Sequence, residues 1–393
     1  MRKWGFVLAA LLALASGAAR ADMAKFEAAL TLFEAAALWR NAGTYSGEVY
    51  ATGGIRRFNS GMRVFLGRSG NSSLNAHTEA KMREAAELAG LAIEFVDTAE
   101  KANVKFNFFQ EYQAPPGIPG AGCVAFTNAW TTTEATVHVR LTQRSCVTHE
   151  IMHVFGFPGH PHELESVLSY THGGASYREN YSPLDRAILR AMYRANLPPG
   201  TYHLPALVRV RQFLAEEYGV VEKGADTAHL GRRVIDASLA KLQKAADAGN
   251  PFIQMQLGNA YAFGHYVEKS QATAVRYWTL AASQKNAEAV YRLALAARSG
   301  DGVPMDGPGA RARLREASDL GHGAAALAYA RMLNAGTDGP AEPVEAFAYF
   351  DLAARRNQNE ARSLRDALLL TFDDETKARA QKRAAELPTA PPR

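Results

Sequence analysis

A chain of 393 residues exceeds what one ordinary core accommodates, so it points to two domains or to one domain followed by a repeat array. Hydrophobic residues make up 47% of it and charged residues 21%, a globular make-up that excludes a disordered or fibrous chain. The formal net charge is only +5 and no run of five or more basic residues occurs, which excludes a nucleic-acid footprint.

The first residues read as an export signal spanning 1–21. Arg2 and Lys3 form a positive start, residues 6–15 an apolar run, and Ala19-Arg20-Ala21 a small-x-small cleavage site before Asp22. The apolar run falls short of the roughly 18 residues that a membrane anchor needs, and no cysteine follows it to carry a lipid. The expected location is therefore the periplasm or the medium, with no stable membrane anchor. In that oxidising setting the two cysteines, Cys123 and Cys146, are expected to form a disulfide, the alternative being two buried thiols.

Residues 23–40 place Phe26, Leu30, Phe33 and Ala37 at helical spacing. Residues 22–50 also offer room for a removable pro-segment, though one without a cysteine for a thiolate switch. A strand is expected over 63–67. A helix follows over 73–90, with Met82, Ala85, Ala86 and Ala89 inward and Gly90 as its terminator, then strands over 91–96 and 104–109. Residues 114–120 hold three prolines and two glycines and read as a surface loop. Residues 135–141 alternate in the β manner and are expected as an edge strand, open to an extended peptide by strand addition. His138 within that strand reads as an ordinary half-exposed position.

The chemistry concentrates in residues 146–160, where His149-Glu150-Ile151-Met152-His153 is followed by Gly156 and then His160. Positions four apart on a helix lie one above the other, so His149 and His153 offer imidazoles to one ion. Glu150, turned about 100° away, is placed as a general base for a bound water rather than as a ligand. His160 is the leading third ligand, with His162 and His172 as alternatives from the same loop; Glu163 and Glu165 lie too close to His153 for a ligand on a downstream helix. His77, His203, His229, His265 and His322 occur singly and read as surface or satisfied structural residues.

Further on, Ser182-Pro183-Leu184-Asp185 signals a helix start with a capping box, and Leu184, Ile188, Ala191 and Met192 supply its apolar stripe. Another helix is expected over 207–218 and a linker over 223–233. The chain then repeats. Ala245-Ala246, Ala281-Ala282, Glu316-Ala317 and Ala353-Ala354 recur at spacings of 35 to 37, and Gly264, Gly300 and Gly336 at 36. Such units stack as helical pairs into an α-solenoid.

The motif region resembles the metzincin clan of zinc peptidases, whose pattern HExxHxxGxxH ends one residue before His160, at the place of Gly159. Ser166-Val167-Leu168-Ser169-Tyr170 resembles that clan's Met-turn, with Leu168 in the place of the methionine and Tyr170 matching a tyrosine that donates to the oxyanion in some members. The helix from Ser182 is similar to the clan's closing helix, and a bacterial domain family of unknown function shares the strand and helix order over about residues 50–195. Residues 234–370 resemble the Sel-like repeats of the tetratricopeptide superfamily, through the alanine pairs and through Leu257-Gly258 and Leu293-Ala294, with a looser third unit around 337–343.

These resemblances imply an α+β metzincin-like zinc-protease domain over 22–222, a mixed sheet with an active-site helix. An all-α repeat solenoid over 234–370 and a tail over 371–393 would follow. They imply Zn2+ held by His149, His153 and His160, Glu150 and Tyr170 as catalytic residues, a protein or peptide substrate, and a protein partner on the repeats. The competing expectation is a non-catalytic interaction scaffold built on those repeats.

Overall fold

The computed structural model describes residues 2–41, 49–51, 54–67, 69–109, 123–127, 133–142, 144–161, 164–171, 174–175 and 178–388, without the side chains of 2–19, 40–41, 49–51, 170–171 and 174–175. The loop at 114–120 and the alternative ligands His162, Glu163 and His172 lie outside the described residues. The chain divides into two units, Met1–Lys241 and Leu242–Arg393. It is mostly helical, with a small mixed sheet in the first unit.

The first unit opens with α1 (Arg2–Ala37), β1 (Trp39–Asn41) and β2 (Val49–Ala51). Then come β3 (Met62–Leu66), α2 (Ser72–Ala89), β4 (Ile93–Phe95), β5 (Val104–Phe109), β6 (Cys123–Thr127), β7 (Ala135–Arg140) and α3 (Arg144–Val154). The short strands β8 (Tyr170–Thr171) and β9 (Gly174–Ala175) precede α4 (Pro183–Arg194), α5 (His203–Glu217) and α6 (Arg232–Asp247).

Five strands form one sheet in the order β4-β3-β5-β7-β6, with the first four parallel and β6 antiparallel on the end. The strand expected at the edge, residues 135–141, is therefore internal: β7 pairs with β5 on one side and β6 on the other. Among the described residues the sheet ends in β4 on one side and in β6 on the other, and β6 is a strand that the sequence reading did not identify. In β7 the side chains of Ala135, Val137 and Val139 are buried while the alternate residues stand half-exposed, the period-2 signature of a strand packed on one face. His138 is one of the half-exposed set and packs edge-on against Phe126.

Helix α2 starts at Asn71, whose side chain accepts the Leu74 N–H, and stops at Gly90 in the left-handed region. Its Met82, Ala85, Ala86 and Ala89 are buried as the periodicity requires. The anticipated capping box at α4 is present, with Ser182 and Asp185 satisfying each other's backbone N–H groups. The later part of α1 is core: Phe26, Leu30 and Phe33 are fully buried, and the helix packs on α4 and α5.

The second unit contains α7 (Pro251–Phe263), α8 (Gln271–Ala282), α9 (Ala287–Ser299), α10 (Gly307–Asp319), α11 (Gly323–Ala335), α12 (Pro343–Arg355), α13 (Asn359–Leu369) and α14 (Asp374–Glu386). The repeat is built on caps. Asn250, Asn286, His322 and Gln358 hold the N-cap position of alternate helices 36 residues apart, as do Ser270, Asp306 and Glu342 for the helices between. Gly264, Gly300 and Gly336 end α7, α9 and α11 in the left-handed conformation, so the third unit keeps the 36-residue register despite its looser sequence. Gly258 faces the Trp278 ring so closely that a Cβ would lie 2.4 Å from Cδ1. Residues 371–393, expected as a tail, carry α14, which packs on α12 through Ala380 and Ala384 and pairs Arg383 with Glu345.

Candidate metal centre

Helix α3 leaves the sheet directly after β7 and is tied to β6 by the disulfide between Cys123 and Cys146. It packs on both strands. Four residues apart on this helix, His149 and His153 bring their Nε2 atoms to 3.0 Å. The helix ends in a Schellman motif: Gly156 N–H donates to His153 O, Phe157 N–H donates to Met152 O, and Gly156 takes a φ of +102°. A side chain at Gly156 would strike the Arg56 carbonyl oxygen at 1.9 Å. This turn sends the chain back past the helix and brings His160 Nε2 to 3.1 Å from His149 Nε2. The three nitrogens lie within 4.8 Å of one another.

The other ring nitrogens decide what this convergence means. His149 Nδ1 donates to the Val167 carbonyl at 2.9 Å, and His153 Nδ1 donates to the Phe157 carbonyl at 2.6 Å. In a neutral imidazole whose Nδ1 carries the proton, Nε2 is the lone-pair nitrogen. Burial also pushes the His149 pKa down, which keeps that ring neutral, with the hydrogen bond to Val167 opposing it. With Nδ1 engaged by a carbonyl in both rings, Nε2 is the nitrogen that each turns toward the common point between them, where a cation can bind. The donor set and its carbonyl partners fit zinc, whose histidine ligands are held in this way by their second nitrogens.

Glu150 is buried beside this cluster, 5% exposed. Burial pushes its pKa up to about 8, offset in part by a hydrogen bond from the Ala125 backbone N–H of β6. Tyr170 lies in β8, paired with Ala175, and its side chain is outside the described residues. Leu168 is fully buried.

A relay that the sequence reading missed supports His149 from the far side. Asp185 is fully buried and accepts hydrogen bonds from Ser166 Oγ at 2.5 Å, Val167 N at 3.1 Å and Ser182 N at 2.8 Å. The capping box was legible, but nothing in the spacing showed that the same carboxylate holds the N–H of Val167, whose carbonyl accepts from His149, and the Ser166 hydroxyl that in turn accepts the Leu168 N–H of the peptide carrying that carbonyl. Burial raises the Asp185 pKa in spite of these donors. Among the single histidines, His203 is buried and donates from Nε2 to Leu38 O, while His322 caps α11 and pairs with Glu288.

No family model matches the chain and no curated protein does. Among solved structures, a Sel1 repeat protein from Oxalobacter formigenes is similar at 24% identity over 37% of this chain and 61% of its own, with a TM-score of 0.33. A protective antigen of uropathogenic Escherichia coli strains that displays an SLR fold is similar at 18% identity over 53% of this chain and 49% of its own, with a TM-score of 0.28. The chain thus spans under two thirds of the length of either structure.

Proposed function

We propose that the first unit is an exported zinc-dependent peptidase of metzincin type and that the repeats of the second unit bind a protein partner or substrate. The observation that carries the first part is the convergence of three imidazole Nε2 atoms beside a buried carboxylate. His149, His153 and His160 would hold the ion. Zinc, when bound, supplies a Lewis acid that lowers the pKa of water toward about 7 and polarises a carbonyl. Glu150 accepts the proton from the attacking water and returns it to the leaving amine, and Ala125 N–H holds its carboxylate in place meanwhile. Tyr170 is assigned the role of donor to the oxyanion. An extended substrate is expected along β6, the edge strand, and not along residues 135–141.

The second reading is a non-catalytic scaffold that works through its repeats, and the strict 36-residue spacing of the caps favours it. Zinc analysis together with hydrolysis of an unstructured protein substrate separates the two. The expected result is about one zinc per chain, lost in His160→Ala. Glu150→Gln should keep the metal and lose at least about 100-fold in rate. Zinc-loaded wild type that cleaves nothing leaves the scaffold reading in place.

A further inference from the structure

We propose that the C-terminal end of α1 is part of the metal centre, setting the position of His160 through Gly159; the inference rests on the zinc reading above. The ligand loop is short, and Phe157 and Gly159 on either side of Pro158 are both held by contacts. Phe157 gives its carbonyl to His153 and its ring, fully buried, meets Phe33 of α1 edge-on with centroids 6.2 Å apart. Two residues later, Gly159 N–H donates to the Ala36 carbonyl at 2.8 Å. A Cβ on Gly159 would lie 2.2 Å from Ala35 O, 2.4 Å from Trp39 O and 3.0 Å from Ala36 O, so only glycine permits this approach. All three obstacles are backbone atoms, which cannot swing aside as a flexible side chain would.

The contact serves both partners. Helix α1 ends at Ala37, and its last carbonyls have no acceptor role within the helix, so Gly159 caps one of them. In return the loop is pinned one residue before its ligand. The extra residue between Gly156 and the third histidine follows from this: position 159 is occupied by the residue that docks on α1, and the imidazole comes at 160. The core placement of Phe26, Leu30 and Phe33 makes this stretch of α1 part of the packed unit on which the ligand loop rests.

The test compares full-chain wild type, Gly159→Ala, Phe33→Leu and His160→Ala. Zinc affinity is read by chelator competition, the Co2+ absorption spectrum at saturating cobalt, and thermal unfolding in chelator. Gly159→Ala should bind zinc about 10- to 100-fold more weakly, the range for residues that orient a ligand from outside the metal's own shell. Its cobalt spectrum should move toward that of His160→Ala, a signature that a loss of stability alone does not produce. Phe33→Leu, which keeps most of the volume, should fold with a modestly lower apo melting temperature and weaken zinc several-fold, and it decides the matter if Gly159→Ala does not fold. Wild-type affinity and spectrum in Gly159→Ala, or wild-type affinity in Phe33→Leu when the former fails to fold, would overturn the proposal while leaving the zinc site standing. A wild type that binds no zinc overturns both.

Discussion

Replacing Asp185 tests whether the capping box of α4 and the metal centre are one mechanical system. Asp185→Ala strands three donors, Ser166 Oγ–H, Val167 N–H and Ser182 N–H, in a site with no solvent. Each buried donor left unpaired costs about 1–3 kcal/mol, and because neighbours relax together the sum is expected at about 3–5 kcal/mol. Asp185→Asn is the informative control. Its amide oxygen can take the place of Oδ2 and keep both backbone donors, while its NH2 faces the Ser166 hydroxyl and displaces one bond, for a loss of about 1–2 kcal/mol. Urea unfolding in chelator reads these values free of metal. Zinc affinity, measured separately, should fall with Asp185→Ala by about 10-fold or more, because Val167 N–H and the Ser166 hydroxyl that holds Leu168 N–H lose their anchor, and the Val167 carbonyl between them is no longer aimed at His149 Nδ1. A loss under about 1 kcal/mol for Asp185→Ala, with zinc affinity unchanged, would refute the relay.

Three further outcomes are expected. The folded pKa of Glu150 is raised to about 8, so the native apo protein holds a proton that the unfolded chain has released. Stability in chelator should therefore fall as pH rises from about 4.5 to about 8, and Glu150→Gln should remove that slope in a pH series of urea melts. The disulfide closes a loop with a sequence separation of 23, and the chain-entropy relation puts its loss at about 3.4 kcal/mol, to be read from the paired Cys123→Ser and Cys146→Ser variant against wild type. In the repeats, Gly258→Ala drives a Cβ into the Trp278 ring. Overpacking of about 1–3 kcal/mol outweighs the gain of about 1 kcal/mol in helix propensity, so the melting temperature should drop and a second change, Trp278→Leu, should restore part of it.

The residues whose positions could be read from sequence are those whose spacing is local. His149 and His153 are related by one helical turn, α2 and α4 by caps and periodicity, and the repeats by a fixed period. What escaped is set by contacts between segments far apart in the chain. Strand β6 is five residues long, and only its pairing with β7 makes it the edge. Its Ala125 amide is invisible as a partner of Glu150 until that pairing exists. Gly159 looked like a loop residue that displaced a ligand, because the α1 carbonyls it meets lie more than 120 positions earlier. Helix α14 is not legible for a different reason: its buried stripe consists of Ala380 and Ala384 on an otherwise charged helix, too narrow to stand out from a solvated segment.

The cap spacing in the second unit has a consequence for how that unit can change in length. A helix face turns by about 100° per residue, so gaining or losing one residue inside any of α7 to α12 would rotate every following contact out of its groove. Adding or removing 36 residues leaves each cap opposite the same kind of neighbour. Length in this array is therefore quantised: whole units can be exchanged at the expense of one interface, while single-residue changes are confined to the turns, of which those between Gly264 and Ser270, Gly300 and Asp306, and Gly336 and Glu342 are the longest.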